Sequence, residues 1–400
     1  MRNGWTETTL GEIADVIGGG TPSTSVPEYW GNEVIWLTPT EIVAIDGKTV
    51  RDSIRKLSRE GLANSGAQIL PKGSVILTSR ASVGYVAISE CELTTNQGFQ
   101  SLVPGKNVLS YFLMYWIQYN RHEFDSRAAG STFKEISKTN VKSIKLNLPP
   151  LSEQKRIVDL ISSVDSYIDA LEQQAESARK SRKAVLHEML SVGGDDWTET
   201  KIGEVANLNP EQARDFESER LIKYVDLSTV SFEGGIDREI TPIRFCDAPS
   251  RARRIIRKDD VIISTVRPYL RGFAFVDEAF DGQIASTGFC VIRSQRDSVL
   301  PELLWAITGS NEFVEFLVKR STGSNYPAVR PADIEDFQFN LPPIERQIAI
   351  SELIRTFDEV IRKSIKSLNS IKQIRSGLLS ELLSGDHEIP ESYDKVMGAA

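Results

Sequence analysis

Two stretches of this 400-residue chain carry apolar side chains at helical spacing, and the rest does not. In residues 345–384, Phe357, Ile361, Ile365, Leu368, Ile371, Ile374, Leu378 and Leu382 recur with a mean step of 3.57 residues, the period of an α-helix. Residues 152–191 repeat the pattern with Ile157, Leu160, Val164, Ile168 and Leu171. It continues through Ala175 and Ala178 before Arg182 interrupts it. Neither stretch contains Gly or Pro apart from Gly377. A Pro-Pro pair precedes each, and Gly193 or Gly385 follows, which marks starts and stops. Residues 5–147 and 197–340 read differently. Short apolar runs such as VILTS (75–79) and VIISTV (261–266) lie among Gly, Pro and Thr, the signature of strands between loops. The pattern predicts an α+β chain with two long helices.

A helix of about 40 residues spans about 60 Å, more than one small domain can cover. Its apolar stripe therefore needs a partner, and the other long helix is the obvious one. The expected seam is Ile157, Leu160, Val164, Ile168 and Leu171 from the first helix with Phe357, Ile361, Ile365 and Leu368 from the second. The alternative, a core helix of its own domain, sits badly with such a length. The small residues Ala175 and Ala178 would allow close helix approach or leave room for a third helix from another protein.

The chain is written twice. WTETTLGEIA (5–14) returns as WTETKIGEVA (197–206), seven of ten positions identical, and NLPPLSEQ (147–154) returns as NLPPIERQ (340–347). Residues 148–190 and 341–383 share 14 identities in 43 positions. Between these anchors GSTF (130–133) meets GSNY (323–326), and Gly98-Phe99 meets Gly288-Phe289. Likeness at the edges with divergence inside is the pattern of one scaffold carrying two different readers. The expected division is a domain at 1–147, a helix at 148–193, a second domain at 194–340, a helix at 341–385 and an acidic, mobile tail at 386–400.

Composition narrows the chemistry. The chain is 40% hydrophobic and 26% charged with a net charge of −8, globular rather than disordered and no bulk polycation. Three cysteines (Cys91, Cys246, Cys290) cannot frame a disulfide scaffold, and each is read as a small buried residue of a cytoplasmic protein. The first residues lack the charged start and apolar run of a secretory signal, and the best apolar run, VLSYFLMYW (108–116), is too short to span a membrane. Three histidines (His122, His187, His387) and the cysteines show no metal-ligand spacing. Gly47-Lys48-Thr49 ends like a phosphate loop, but Ile42 stands where its first glycine belongs. Glu153-x-Lys155 could suggest a nuclease carboxylate, yet Glu153 opens a helix and its repeat counterpart is Arg346. No catalytic or metal-binding residue is expected.

The order domain, Pro-Pro, long helix, written twice, resembles the specificity subunit of type I restriction-modification systems. The segments GGGTPSTSVPEYWG (18–31), SRASVGYVAI (79–88) and RIIRKDDVIISTVRP (254–268) look like parts of its target-recognition domains. The resemblance covers residues 1–385 and implies two α/β target-recognition domains and an antiparallel coiled coil of the two helices. It further implies a chain without an active site, in which each domain reads one half of a bipartite duplex DNA site and the helices fix the gap. Two methyltransferase subunits carrying S-adenosylmethionine, and motor-nuclease subunits using ATP and Mg, would be its partners. A coiled-coil adaptor that binds only proteins is the rival reading, and it predicts loops without polar readers.

The loops are instead dense in the side chains that read base edges. In the first domain the candidates are Thr21, Ser23 and Thr24, then Arg80 and Ser82, then Asn96 and Gln97, then Ser131, Thr132 and Lys134. In the second they are Arg254, then Arg267, Tyr269 and Arg271, then Ser286 and Thr287, then Ser324, Asn325 and Tyr326. Arg80 and Arg267 each end a strand-like run and are favoured for guanine or phosphate. The run RARRIIRK (251–258) and Lys134, Lys138, Lys142 and Lys145 supply local positive charge. Arg51, Arg55, Lys56 and Arg59 read as a solvated helix face. Trp5, Trp197, Trp36, Trp116 and Trp305 read as core. Because the whole chain is acidic, weak DNA binding alone and tight binding with basic partners is expected.

Overall fold

The computed structural model describes residues 4–130, 134–214, 216–231, 235–237, 239–390, 392 and 393, with the side chains of 190–192 excepted. Ser131 and Thr132 lie outside the described residues. The chain forms two compact units: residues 1–171 with 367–400, and residues 172–366. The division cuts both long helices, which run Leu151–Val192 and Ile344–Ser384.

In the first unit a two-stranded ribbon pairs Thr6–Thr9 antiparallel with Lys145–Leu148, so that the domain closes where its long helix begins. A five-stranded sheet runs in the order Ala14–Gly18, Gln100–Pro104, Val75–Leu77, Val86–Ser89, Thr49–Val50. A four-stranded sheet of Trp30–Gly31, Arg55–Leu57, Val34–Leu37 and Thr94–Thr95 stands beside it. The helix Ser110–Tyr119 buries six consecutive residues from Phe112 to Ile117, which is why that run reads as continuously apolar.

The second unit repeats the frame. Thr198–Lys201 pairs antiparallel with Gln338–Leu341. A four-stranded sheet runs Ala206–Leu208, Phe289–Ser294, Val261–Ser264, Phe273–Phe275. A smaller three-stranded sheet joins Tyr224–Val225, Ile284–Ser286 and Ala252–Ile255.

The NLPP-x-x-x-Q repeat has a physical reason. Gln154 is fully buried; its Oε1 accepts from Leu109 N at 2.9 Å, and its Nε2 donates to the carbonyls of Asn107 and Pro149 at 3.0 and 2.9 Å. Gln347 does the same with Leu300 N and the carbonyls of Ser298 and Pro342, each at 2.9 Å. One amide thus satisfies three backbone groups where a domain meets its helix, a need that no apolar residue can meet.

Within each unit the two helices run antiparallel. In the first, Ile157 and Ile161 join the domain core together with Leu379, Leu382 and Leu383 from the other helix. In the second, Ile350 and Ile354 share a core with Leu186. Of the expected seam, Ile157, Ile168 and Leu171 are buried, while Leu160, Val164, Phe357, Ile361, Ile365 and Leu368 are half-buried.

Several expectations are corrected. Ile374 is 54% exposed, because the adjacent Arg375 turns inward to Asp165. Arg182 does not break the helix contact; its Nε lies 2.8 Å from Asp358. The tail is docked as far as Tyr393: Ile389 is buried in the first domain's core and Tyr393 packs against it. The residues beyond lie outside those described. Cys290 is buried, and burial pushes its thiol up to about 12, but Cys91 is half-buried and Cys246 exposed. Arg55 and Lys56 sit on a strand, and the Arg55 guanidinium stacks 3.7 Å from the Trp30 ring. Trp5, Trp36 and Trp116 are buried, whereas Trp197 and Trp305 are half-buried. Trp5 Nε1 donates to Glu153 at 3.0 Å; in the repeat the position of Glu153 is taken by Arg346, whose side chain offers no acceptor.

Candidate nucleic-acid interface

In the first domain, four of the nominated side chains converge. Arg80, Ser82, Asn96 and Gln97 line an open cavity of about 400 Å³ together with Pro39, Thr40, Val43 and Ala81. Gly19 and Gly20 make this possible. A side chain at Gly19 would fall 2.0 Å from Asn96 O, and one at Gly20 would strike the backbone of Gly66 at 2.3 Å. Only glycine lets the 18–20 strand end lie against the Thr95–Asn96 backbone, where Gly20 N donates to Thr95 O at 2.9 Å. That approach carries Thr21 to the rim, where its hydroxyl donates to Gln97 Oε1. Ser23 and Thr24 are exposed farther along this loop, and Ser23 bonds Ser25 at 2.8 Å.

Arg80 is held from outside the local sequence. Its Nε and Nη2 donate to Glu135 Oε2 and Oε1, both at 3.0 Å, in a forked pair. Glu135 was not among the nominated residues; it lies 55 positions away in a segment whose composition gives no hint of it. Lys134 leaves the expected lysine stripe to pair with Asp125 at 2.5 Å, and Lys145 pairs with Glu7 at 2.9 Å. The four lysines form no helical stripe, since only Lys138 and Lys142 share a short helix.

The second domain builds its edge on the same backbone frame with different side chains. Ser79 N donates to Gly98 O and Ala81 N to Lys134 O, both at 2.8 Å. In the second domain Thr265 N donates to Gly288 O at 2.9 Å and Arg267 N to Pro327 O at 2.7 Å. Arg267 is therefore the counterpart of Ala81, and both hold a left-handed backbone, φ 50° and 63°. Arg80 corresponds to Val266, so the two favoured arginines are not equivalent.

From this position Arg267 lies 4.4 Å from the Tyr326 ring, and its Nη2 donates to Asn325 O at 3.1 Å. Arg271, also left-handed, donates to Gly309 O at 2.8 Å and Asn311 Oδ1 at 2.7 Å. Between them Tyr269 and Leu270 are 50% and 53% exposed, and Tyr326 is 69% exposed. The result is a ridge of arginine and aromatic side chains where the first domain has a cavity. Ser324 and Asn325 flank Tyr326 and are exposed; Thr287 is exposed, while Ser286 is buried and accepts from Gly288 N at 3.1 Å.

Two of the five basic residues in the run 251–258 are paired with carboxylates of the domain. Arg257 pairs with Glu211 and Lys258 with Glu278, both at 2.7 Å, and Arg254 is half-buried. Among the described residues no group of three or more His, Cys, Asp or Glu could hold a metal ion, and no helix is long and apolar enough to cross a membrane.

Comparison with known proteins bears directly on this duplicated frame. The type I restriction modification DNA specificity domain matches residues 2–178 and again 194–373. The chain belongs to that family. It is a type I DNA specificity subunit with two specificity domains in tandem. It is 23% identical to the type I restriction enzyme MjaIX specificity subunit of Methanocaldococcus jannaschii, over 97% of this chain and 94% of that one. The MjaVIII specificity subunit of the same organism is 20% identical over 82% and 83% of the two chains. In fold it matches the type I restriction-modification S subunit of M. genitalium with a TM-score of 0.62, at 15% identity, over 96% and 97% of the chains.

Proposed function

We propose that each globular domain of this specificity subunit reads one half of a bipartite, asymmetric duplex DNA site, and that the long helices set the gap between the halves. The observation that carries this is one hydrogen-bonded frame bearing different side chains at its open edge: a cavity with Arg80, Asn96 and Gln97 in one domain, a ridge with Arg267, Tyr269 and Tyr326 in the other. Two unlike readers on like frames suit an asymmetric target.

The chain itself contributes no catalytic group. Two methyltransferase subunits bring S-adenosylmethionine, and restriction subunits bring ATP and Mg. Tyr167 and Ile374, both more than half exposed on the long helices, offer apolar contact to such partners. A net charge of −8 makes the isolated subunit a weak DNA binder that needs basic partners, and the cytoplasm is its compartment.

The test is to co-express the chain with its methyltransferase subunit and map methylated adenines across the host genome. One bipartite motif with a fixed gap, half of it changed when residues 197–340 are exchanged for another domain, is the expected result. A stable complex that methylates no defined motif would leave a protein-binding adaptor instead.

A further inference from the structure

The two amides at the first domain's cavity engage their oxygens within the protein and keep N–H groups to donate. Asn96 Oδ1 takes the Gly98 N–H at 2.8 Å, which leaves its two amide N–H groups as donors. Gln97 Oε1 takes the Thr21 hydroxyl, with the same consequence. Glu135, the only carboxylate bonded to Arg80 among the described residues, gives both oxygens to that guanidinium. A guanidinium has five N–H groups. Glu135 engages the Nε–Nη2 side of Arg80, so three N–H groups, two of them side by side on the Nη1–Nη2 edge, bond no other described residue.

With a guanidinium and two amides donating, such a site favours a ligand that offers acceptors. In the major groove guanine presents two adjacent acceptors, O6 and N7, whereas cytosine presents an N4 amino donor. The free side of an arginine fork matches O6 and N7 with two parallel N–H bonds. A phosphate also accepts, but it would need no orienting carboxylate: an opposing charge beside Arg80 weakens its pull on a phosphate while fixing the plane of the fork.

We propose that Arg80 reads a guanine in the half-site of the first domain, with Glu135 as the positioning residue that aims it and Gln97 and Asn96 as further donors to the same or the neighbouring base pair. This assignment rests on the function proposed above and names the base class that this site takes. Glu135 touches no DNA; it holds the guanidinium plane.

The experiment uses the complex with its methyltransferase subunits and reads the genome-wide methylation motif. The wild-type half-site that changes when residues 5–147 are exchanged must contain a guanine. Arg80→Lys keeps the charge but loses the fork, and Glu135→Gln loses the aim. Each is expected to relax that one guanine position while the half-site of the second domain, the internal control for folding, keeps its sequence. Binding of the wild-type complex to a duplex with 7-deazaguanine at that position, which lacks N7, is expected to weaken by roughly ten- to a hundredfold. A first half-site without guanine, an unchanged motif in Arg80→Lys, or a uniform loss at every position with a shallower salt dependence would overturn the assignment; the last would make Arg80 a phosphate contact. A wild-type complex with no motif at all would overturn the function on which the assignment rests, and the assignment with it.

Discussion

Arg375 grips Asp165 through both Nε and Nη2, the latter 3.2 Å from Oδ2, and joins the second long helix to the first. One repeat away their counterparts Arg182 and Asp358 form an ion pair too, at 2.8 Å, with the helices exchanged: the aspartate now comes from the second helix and the arginine from the first. Two of the identities shared by the helices are therefore accounted for by reciprocal pairing. The surroundings differ. Asp165 also accepts from the Tyr115 hydroxyl at 2.9 Å, and Arg375 Nη2 donates to Gln118 Oε1 at 3.2 Å. Asp358 has no tyrosine, since Ala306 stands where Tyr115 does, and burial raises its carboxyl pKa against the pull of Arg182.

Removing one partner of the first pair leaves a mostly buried charge uncompensated. Arg375→Ala and Asp165→Ala are each expected to destabilise the protein by about 2–3 kcal/mol, and the pair removed together by less than the sum of the two. Urea unfolding of the two single variants and the double variant measures the coupling; strict additivity would show that the ion pair contributes nothing.

The buried glutamines give a second expectation. Gln154→Leu strands the Leu109 N–H and the carbonyls of Asn107 and Pro149 without partners, at a cost of about 2–4 kcal/mol. Gln347→Leu should do the same to the second domain, and thermal unfolding of each variant compares them. A loss below about 0.5 kcal/mol would mean that water replaces the amide.

Acid should loosen the second domain. Arg257, and after it Arg293, bond the Glu211 carboxylate and lower its pKa to about 2 from an ordinary value near 4.5. A carboxyl depressed in the folded state stabilises the fold above its unfolded pKa, and that contribution is lost as pH falls through the folded value. Stability should therefore drop between about pH 4.5 and 2, and Glu211→Gln should flatten this part of the profile. After allowance for solvent at a one-third exposed group, the effect is about 1–2 kcal/mol. A pH–stability curve of the variant that runs parallel to the wild type would refute it.

For the second reader, Arg267→Ala and Tyr326→Ala remove the two halves of one stack. Each is expected to weaken target binding by the methylating complex by roughly tenfold, with degeneracy confined to the half-site of the second domain. Methylation mapping of the two variants checks it. Degeneracy in the other half-site would show that the domains have been assigned to the wrong halves.

The architecture was legible in the sequence because its signals are local or repeated. A 3.6-residue period shows wherever the helix packs, and Gln154/Gln347, Asp165/Asp358 and Arg182/Arg375 are identical across the repeat because each does the same work twice. The reading loops were legible by composition, but their geometry was not. Arg80 meets Glu135 across 55 residues, and Gly19 makes room for the Asn96 backbone across 77, with no local pattern to announce either contact. Where two domains share a frame but insert different lengths, alignment also misleads: two arginines that each end a strand run turned out to occupy neighbouring positions, not the same one.

The docking of Ile389 beside Leu379, Leu382 and Leu383 has a consequence for how the protein is made. The last strand of the first domain ends at Leu148, yet part of its core is supplied by residues 379–389, made more than 200 positions later. At ordinary synthesis rates of about 5–20 residues per second, the finished N-terminal strands wait roughly 10–40 s for the side chains that cover them. During that interval an apolar face of the domain stays open to water and to other chains, and a chain stopped before Leu379 leaves it open for good.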